Sequence, residues 1–479
     1  MKTRIITLVV FCSFLGSFMG APTAATELKE RMIVLTDMGA DPDDEQSLVR
    51  LLLYANQIDI EGIVATTSCW QTDEIRPDFI ETILTAYEKV QPNLLKHEAG
   101  YPTADELRAV SKEGIAKYGM EGVGDDMDTE GSDLIIEVLE NGDERPLWIS
   151  VWGGANVLAQ ALRKIDKTRT QDEASELVSK LRVYAISDQD DSAIWIRKEF
   201  PELFYIVSPG DDYGASTWIG IKNKYQGVDN SAISNPWLGE HIQQGHGALG
   251  AVYPDVAWGM EGDSPAFLGL LPNGLNFPEK PNWGGWGGRY ELYRPSFIGV
   301  KDRGSIVVPE AETRPIWTNA MDTYKPYLPN EYGRAVERSR RSFTNAQVTL
   351  WRWRDEFQND FAARMDWAVN DYEDANHPPV PQLRHSEEIT VKSGEEFTLD
   401  AYGSSDPDGD SISYLWFHYP EAGTHKVLIE QNGAENVDRV RYTAPEVKEK
   451  VTAHFILKVT DKGVPALTRY KRVVVTIEP

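Results

Sequence analysis

From Arg31 to about Val207, short apolar runs alternate with stretches of helical spacing. Met32–Leu35, Ile58–Ala65, Leu147–Val151, Leu181–Ile186 and Leu203–Val207 read as buried strands. Between them, Asp78–Lys89, Glu130–Leu139, Val157–Ile165 and Ala193–Glu199 carry apolar residues three and four apart, the spacing of an amphipathic helix. This alternation predicts an α/β fold with a doubly wound, mostly parallel sheet. Residues 208–330 interrupt the pattern, being rich in Gly, Pro, Trp and Tyr, with irregular spans such as PNWGGWGGRYELYRPS at 281–296. Helical spacing returns over 347–371, where Trp351, Phe357, Phe361 and Trp367 form a stripe expected to pack rather than to meet a ligand. ANHPPV then reads as a linker. Beyond it, seven short alternating runs from ITVKSG to RYKRVVVTIE predict an antiparallel sandwich with Trp416 in its core. The expected organisation is therefore an α/β domain over 26–376 and a sandwich over 381–479, separable by a cut near His377.

The most informative junction is MIVLTDMGADPDDEQSLVRLLLY, residues 32–54, where an apolar strand runs into an acidic loop and a helix begins on the last acid. Asp37, Asp41, Asp43 and Asp44 fall within eight residues. Helix dipoles stabilise carboxylates at such a place, yet four of them repel one another unless a cation or several donors gather them. A hard divalent ion suits an all-oxygen set, and calcium tolerates irregular geometry best. The alternative is a solvated, acid-rich helix start. In doubly wound folds ligands bind beyond the carboxyl ends of the strands, which is where Asp37 falls.

Composition narrows the partners. Against 48 bases the chain has 75 acids, a net charge of −27, which repels a phosphate backbone and an anionic membrane surface, so nucleic acid is not expected. Fourteen Trp and 20 Tyr supply flat faces of the kind that hold sugars, as well as core. Residues 1–25 read as an export signal, with Lys2 and Arg4 before an apolar run from Ile5 to Met19 and small residues at Ala21, Ala24 and Ala25. A periplasmic or extracellular location follows, and no segment is long enough to span a membrane. Cys12 lies in the signal, so Cys69 is left without an internal disulfide partner.

LTDMGADPDDEQSLVRLLL resembles the nucleoside hydrolase signature, Asp-Thr-Asp-x-Gly-x-Asp-Asp followed by a helix. Leu35 stands at the first acid, and two inserted residues let either Asp41 or Asp43 fit the penultimate one, whereas Asp37 and Asp44 are anchored by the strand and the helix. YGMEGVGDDMDTEGSDLIIEVL, 118–139, resembles the family's His-Gly-x-Asp-Gly-x-Gly loop, with Tyr118 at the histidine and Glu121 at the acid. ISVWGGANVLAQAL, 149–162, resembles the turn that supplies a main-chain carbonyl to calcium, at Trp152; a tight turn capped by Asn156 explains it equally well. ISDQDDSAIWIRKEFP places Gln189 and Asp190 where the family has sugar-contacting side chains, and MEGDSPAFLGLL places Asp263 at its late metal acid, with Gly262 at the histidine. AYGSSDPDGDSISYLWF resembles a polycystic-kidney-disease-type or related immunoglobulin-like module; its Asp406, Asp408 and Asp410 read as a turn rather than a second calcium site.

The order of these segments, with a sandwich behind them, resembles an exported bacterial family labelled cellulose-binding with a nucleoside-hydrolase-like domain. The resemblance implies calcium held by Asp37, Asp44, Asp263 and the Trp152 carbonyl, binding sugar hydroxyls and lowering the pKa of a water whose proton Asp37 takes. Asp41, Asp43, Glu121, Asn156, Gln189 and Asp190 are the expected substrate contacts. The implied activity is hydrolysis of an N- or O-glycosidic bond in a nucleoside-like or plant-polysaccharide-derived sugar. The alternative is a non-catalytic cellulose- or carbohydrate-binding protein on the same fold. Both family histidines are missing, so leaving-group protonation falls to Tyr118, Glu121 or an arginine of 281–296.

Overall fold

A computed structural model describes residues 28–208, 213–296, 298–329, 336–338, 341–431 and 436–479. The export signal expected over 1–25 lies outside the described residues. Strands β1 (Glu30–Thr36), β2 (Ile58–Ala65), β3 (Ser111–Glu113), β4 (Leu147–Val151), β5 (Leu181–Ser187) and β6 (Phe204–Ser208) pair in parallel. β7 (Tyr290–Tyr293) closes the far edge, antiparallel to β10 (Ile316–Asn319), while β8 (Ile298–Asp302) and β9 (Ile306–Glu310) form a separate hairpin. The sheet order is β3-β2-β1-β4-β5-β6-β10-β7. The chain therefore winds outward from β1 to β3, then resumes at β4 on the other side of β1. The gap between β1 and β4 is the topological switch point, where the ends of neighbouring strands diverge and leave a crevice.

Helices α1 (Asp43–Leu53), α2 (Pro77–His97), α3 (Ala104–Ala109), α4 (Glu130–Glu140), α5 (Asn156–Thr168), α6 (Gln171–Lys180) and α7 (Ser192–Glu199) cover the sheet. From Arg31 to Thr36, β1 is buried at every position, which is why it reads as a continuous apolar run rather than an alternating one. Helix α2 runs on through Pro92, well past the stretch 78–89 that carries its spacing. The expected helix over 347–371 is instead two, Val348–Trp351 and Arg354–Trp367. Its aromatic stripe is packing, since Trp351, Phe357, Phe361 and Trp367 are all buried. Among the described residues no helix is long and apolar enough to cross a membrane.

Two short ribbons follow the main sheet, β11 (Asp322–Tyr324) with β14 (Phe343–Asn345), and β12 (Tyr327–Pro329) with β13 (Val336–Arg338). The C-terminal region has β15 (Glu388–Lys392), β16 (Glu396–Asp400), β17 (Ser413–His418), β18 (Arg439–Thr443), β19 (Val451–Thr460) and β20 (Thr468–Glu478). They form a four-stranded sheet in the order β15-β20-β19-β17, facing the pair β16-β18. One feature departs from a purely antiparallel sandwich: β15 pairs in parallel with β20. The KVLIE run at 426–430 is not a strand. Trp416 sits in the sandwich core as expected. The DPDG segment is a turn, with Asp406 accepting the amides of Asp408 and Asp410, both at 3.0 Å.

The sandwich does not stand apart. Tyr419, Ala422, Ile456 and Tyr470 belong to the apolar cluster that contains Met32, Leu52 and Trp286 of the α/β region. Trp353, at the break between the two late helices, packs its ring against Phe417, Tyr419 and Tyr470. Arg472 donates to the carbonyls of Leu275 and Gly284 at 2.9 and 2.8 Å.

Two buried sandwich histidines give the fold an acid sensitivity. His418 Nδ1 accepts the Ile429 amide at 3.1 Å and His454 Nδ1 faces an Arg472 N–H at 3.2 Å, so both rings are held neutral. Burial pushes each down to about 3, from 6.5. Below pH 6.5 the unfolded chain takes up protons that the folded chain refuses, so stability falls with pH between 6.5 and about 3, by up to about 1.4 kcal/mol per pH unit for each ring. His418→Asn keeps an acceptor near the Nδ1 position and removes the titration. Denaturant unfolding of this variant over pH 4 to 7 should show a shallower loss than the native chain; parallel curves would contradict the assignment.

Candidate functional site

A cavity of about 500 Å³ opens at the switch point, lined by Asp37, Asp41, Asp43, Asp44, Trp152, Gln189 and Asp263 together with Trp70, Tyr213, Trp218, Lys222 and Trp258. Its floor is built from strand ends. Asp37 follows β1, and a tight turn through Gly39, at φ +88°, lets the Ala40 amide bond back to the Asp37 carbonyl at 3.1 Å. That turn delivers Asp43 and Asp44 to the first turn of α1, where the dipole favours them. The Thr36 hydroxyl donates to Asp44 and fixes its carboxylate. Oxygens of Asp41, Asp43 and Asp44 all lie within 4.8 Å of one another.

Two glycines make the crowding possible. A Cβ at Gly153 would stand 2.5 Å from Asp37 Oδ1, and one at Gly262 would stand 2.5 Å from Asp43 Oδ2. At Gly262, which the resemblance sets against a family histidine, a side chain would have to displace the Asp43 carboxylate and crowd the Trp218 ring. Asp263 arrives on a segment tied to α1: Glu261 pairs with the buried Arg50 at 2.6 Å, its amide bonds Gln46 at 2.9 Å, and the hydroxyls of Ser264 and Ser47 meet at 3.0 Å.

The electrostatics are unbalanced. Burial, followed by the mutual repulsion of neighbouring carboxylates, lifts Asp37 to about 6 and Asp43, Asp44 and Asp263 well above the usual carboxylate range. Burial likewise raises Glu45, just behind them, to about 7. Among the described lining residues Lys222 is the one cation, and it lies over the Trp218 ring at 4.8 Å. Asp263 Oδ2 is buried without a partner. An all-oxygen donor set, a surplus of buried negative charge and an orphaned carboxylate oxygen together fit a hard cation. Trp152 and Gln189 also line this space, and the Trp152 carbonyl accepts the Gln189 side-chain amide.

Three residues expected at the site sit elsewhere. Glu121 is exposed and pairs with Arg303 at 2.7 Å. Asn156 is buried with its amide fully committed: Nδ2 donates to the Lys117 carbonyl at 2.8 Å and to Thr67 Oγ1 at 3.2 Å, while Oδ1 accepts from Thr66 at 2.8 Å. It clamps the start of α5 to the end of β2 instead of meeting a ligand. Asp190 is fully buried behind the rim, where Oδ1 takes the Ser192 amide and hydroxyl at 3.0 and 2.5 Å and burial raises the group to about 7. The proposed leaving-group acids are also engaged outside the cavity. Tyr118 donates to the Lys301 carbonyl at 2.8 Å, Arg289 pairs with Asp322 at 2.7 Å, and Arg294 donates to the Glu312 carbonyl at 3.0 Å. Conversely, Trp70, Tyr213, Trp218, Lys222 and Trp258 line the cavity without having been singled out. Trp70 follows the end of β2, so the strand-end rule points at it; the others come from irregular segments without a period.

Residues 31–290 match a family described as cellulose-binding Sde182, nucleoside hydrolase-like domain, and residues 396–477 match the C-terminal domain of cellulose-binding protein Sde0182. Among solved structures, a nucleoside hydrolase-related protein from Saccharophagus degradans, described as associated with carbohydrate metabolism, is 36% identical with a TM-score of 0.77. The match covers 94% of this chain and all of that one. The effector protein XOO4466 is 12% identical with a TM-score of 0.29, covering 61% of this chain and 88% of that one. The type III effector XopQ, solved with adenosine diphosphate ribose, is 12% identical with a TM-score of 0.30, covering 72% of this chain and 95% of that one. Neither effector is close enough in shape to inform the site. No curated protein matches the chain.

Proposed function

Because the chain belongs to the cellulose-binding Sde182 family with a nucleoside hydrolase-like domain, we propose that its cavity holds a calcium ion and hydrolyses the glycosidic bond of a bound sugar, outside the cytoplasm. The observation that carries this reading is the gathering of Asp37, Asp41, Asp43, Asp44 and Asp263 around one cavity with an aromatic rim. Asp37, Asp44, Asp263 and the Trp152 carbonyl are the ligands for the ion. When bound, calcium supplies counter-charge to the acids and a Lewis acid beside the sugar hydroxyls. Asp37 is the base: its carboxylate lines the cavity at the end of β1, beside the place of the ion, where it can take the proton of an attacking water. The neighbouring carboxylates favour the positive charge that develops on a sugar ring as its glycosidic bond breaks.

One observation favours a binding protein without turnover. Tyr118, Glu121 and the arginines of the 281–296 loop, which were candidates to protonate the leaving group, are all tied up away from the cavity. The two readings separate by incubating the protein with nucleosides and with plant oligosaccharides, with calcium or with chelator. Turnover that returns with calcium supports the hydrolase. Retention on cellulose with no turnover on either panel supports the binder.

Both readings share the ion. Calorimetry should find one calcium per chain, with binding abolished in Asp44→Ala and in Asp263→Ala. Unchanged affinity in both variants would remove the metal from the site.

A further inference from the structure

The cavity mouth carries an apolar surface that the fold does not use. Trp258 is 83% exposed and Trp70 is 48% exposed, although both line the cavity. Tryptophan is seldom left in water to this degree, and a large ring held at the mouth of a polar pocket marks a surface awaiting a partner. The other aromatic faces there are taken: Trp218 lies against Tyr213 with ring centroids 5.1 Å apart and under Lys222, and Trp152 is fully buried. Trp70 is set by its local turn, its amide bonding Ser68 Oγ at 3.0 Å, and is flanked by Gly304 of the β8–β9 hairpin, whose amide bonds the Cys69 carbonyl. Trp258 lies beside Gly259, where a Cβ would run into the Lys222 stem, so its loop is pressed against the cavity wall.

We infer that Trp70 and Trp258 form stacking subsites for successive pyranose rings, so that the site takes a neutral oligosaccharide chain rather than a nucleoside or a single sugar. The inference rests on the reading of the cavity as a calcium and sugar site and adds its substrate class. A pyranose offers both surfaces the site needs, hydroxyl edges for the acidic floor and C–H faces for the indoles. The five cavity aspartates outweigh Lys222 and one divalent ion together, so on a chain of net charge −27 the occupied site still disfavours uronates and phosphorylated sugars relative to a neutral chain. The two exposed rings stand on separate loops, after β2 and after residue 251, and offer the cavity two independent stacking faces, one for each of two sugar residues.

The test is calorimetry on the full chain in calcium buffer, with cellohexaose, methyl β-glucoside and inosine as titrants. The native chain should bind the hexamer at least about tenfold more tightly than either small probe. Trp258→Ala and Trp70→Ala should each weaken hexamer binding by roughly five- to tenfold and leave the calcium isotherm unchanged, which also reports that the variants are folded. Undiminished hexamer binding in both variants overturns the inference, as does inosine or the monosaccharide binding as tightly as the hexamer. Failure of the underlying reading looks different: the native chain then takes up no calcium, or binds none of the three titrants.

Discussion

Asp37→Asn is expected to lower the catalytic constant by roughly a hundredfold or more while changing the Michaelis constant far less. Asparagine keeps an oxygen in the place of Asp37 Oδ1 and has the same size as aspartate beside Gly153, so it still contributes to a cation site. It cannot take a proton from water near neutral pH. Initial rates at saturating calcium separate the two roles of this one side chain. Should Asp37 be a ligand only, calcium affinity falls and excess calcium restores the rate. Restoration to near-native turnover would reassign the base to Asp41 or Asp43, the two acids that share its cavity wall.

Much of this site was legible because its core is local. A buried strand, a glycine turn and a helix start follow one another within about two turns of chain, and backbone geometry alone carries Asp37 and Asp44 to a common point. The distant partners were legible only by family pattern, yet Trp152, Gln189 and Asp263 do line the same cavity. Glu121, Asn156 and Asp190 went astray for a shared reason: a residue's place on a rim does not set the direction of its side chain. Each found a nearer partner, Arg303 for Glu121, three hydrogen-bond partners on the β2 and 118 loops for Asn156, and its own helix start for Asp190. Lys222, Trp218 and Trp258 were invisible because residues 208–330 have no period from which to read a face. The docking of the sandwich was hidden as well, since Tyr419, Tyr470 and Trp353 read in sequence as ordinary core residues of their own regions.

That docking leads to the second large effect. Ending the chain at residue 380 should leave an α/β fragment that does not fold to a stable monomer, and the full chain should unfold in one cooperative transition rather than two. The separable domains expected from the Pro-rich linker share too much for independence. Truncation uncovers Trp353 and Trp286, which pack on Tyr470 across the boundary. It also strips partners from buried charge: Asp322, completely buried, is held by Arg289 at 2.7 Å, by Arg352 at 3.2 Å and by the Tyr419 hydroxyl of the sandwich, while Asp360 loses Arg469 at 2.6 Å. Each large aromatic uncovered costs about 1.5–3 kcal/mol, and a buried carboxylate deprived of a partner costs about as much again, so a few such losses match the whole stability of a typical domain. A milder version keeps the chain intact: Arg472→Met leaves the Leu275 and Gly284 carbonyls unpaired and should cost about 2–4 kcal/mol, lowering the midpoint of the single transition without splitting it. Calorimetric scans of the native chain and Arg472→Met, with limited proteolysis across 376–381, check both statements. Two resolved transitions together with a protease-resistant fragment ending near 380 would show that the linker, and not the shared core, governs how this chain unfolds.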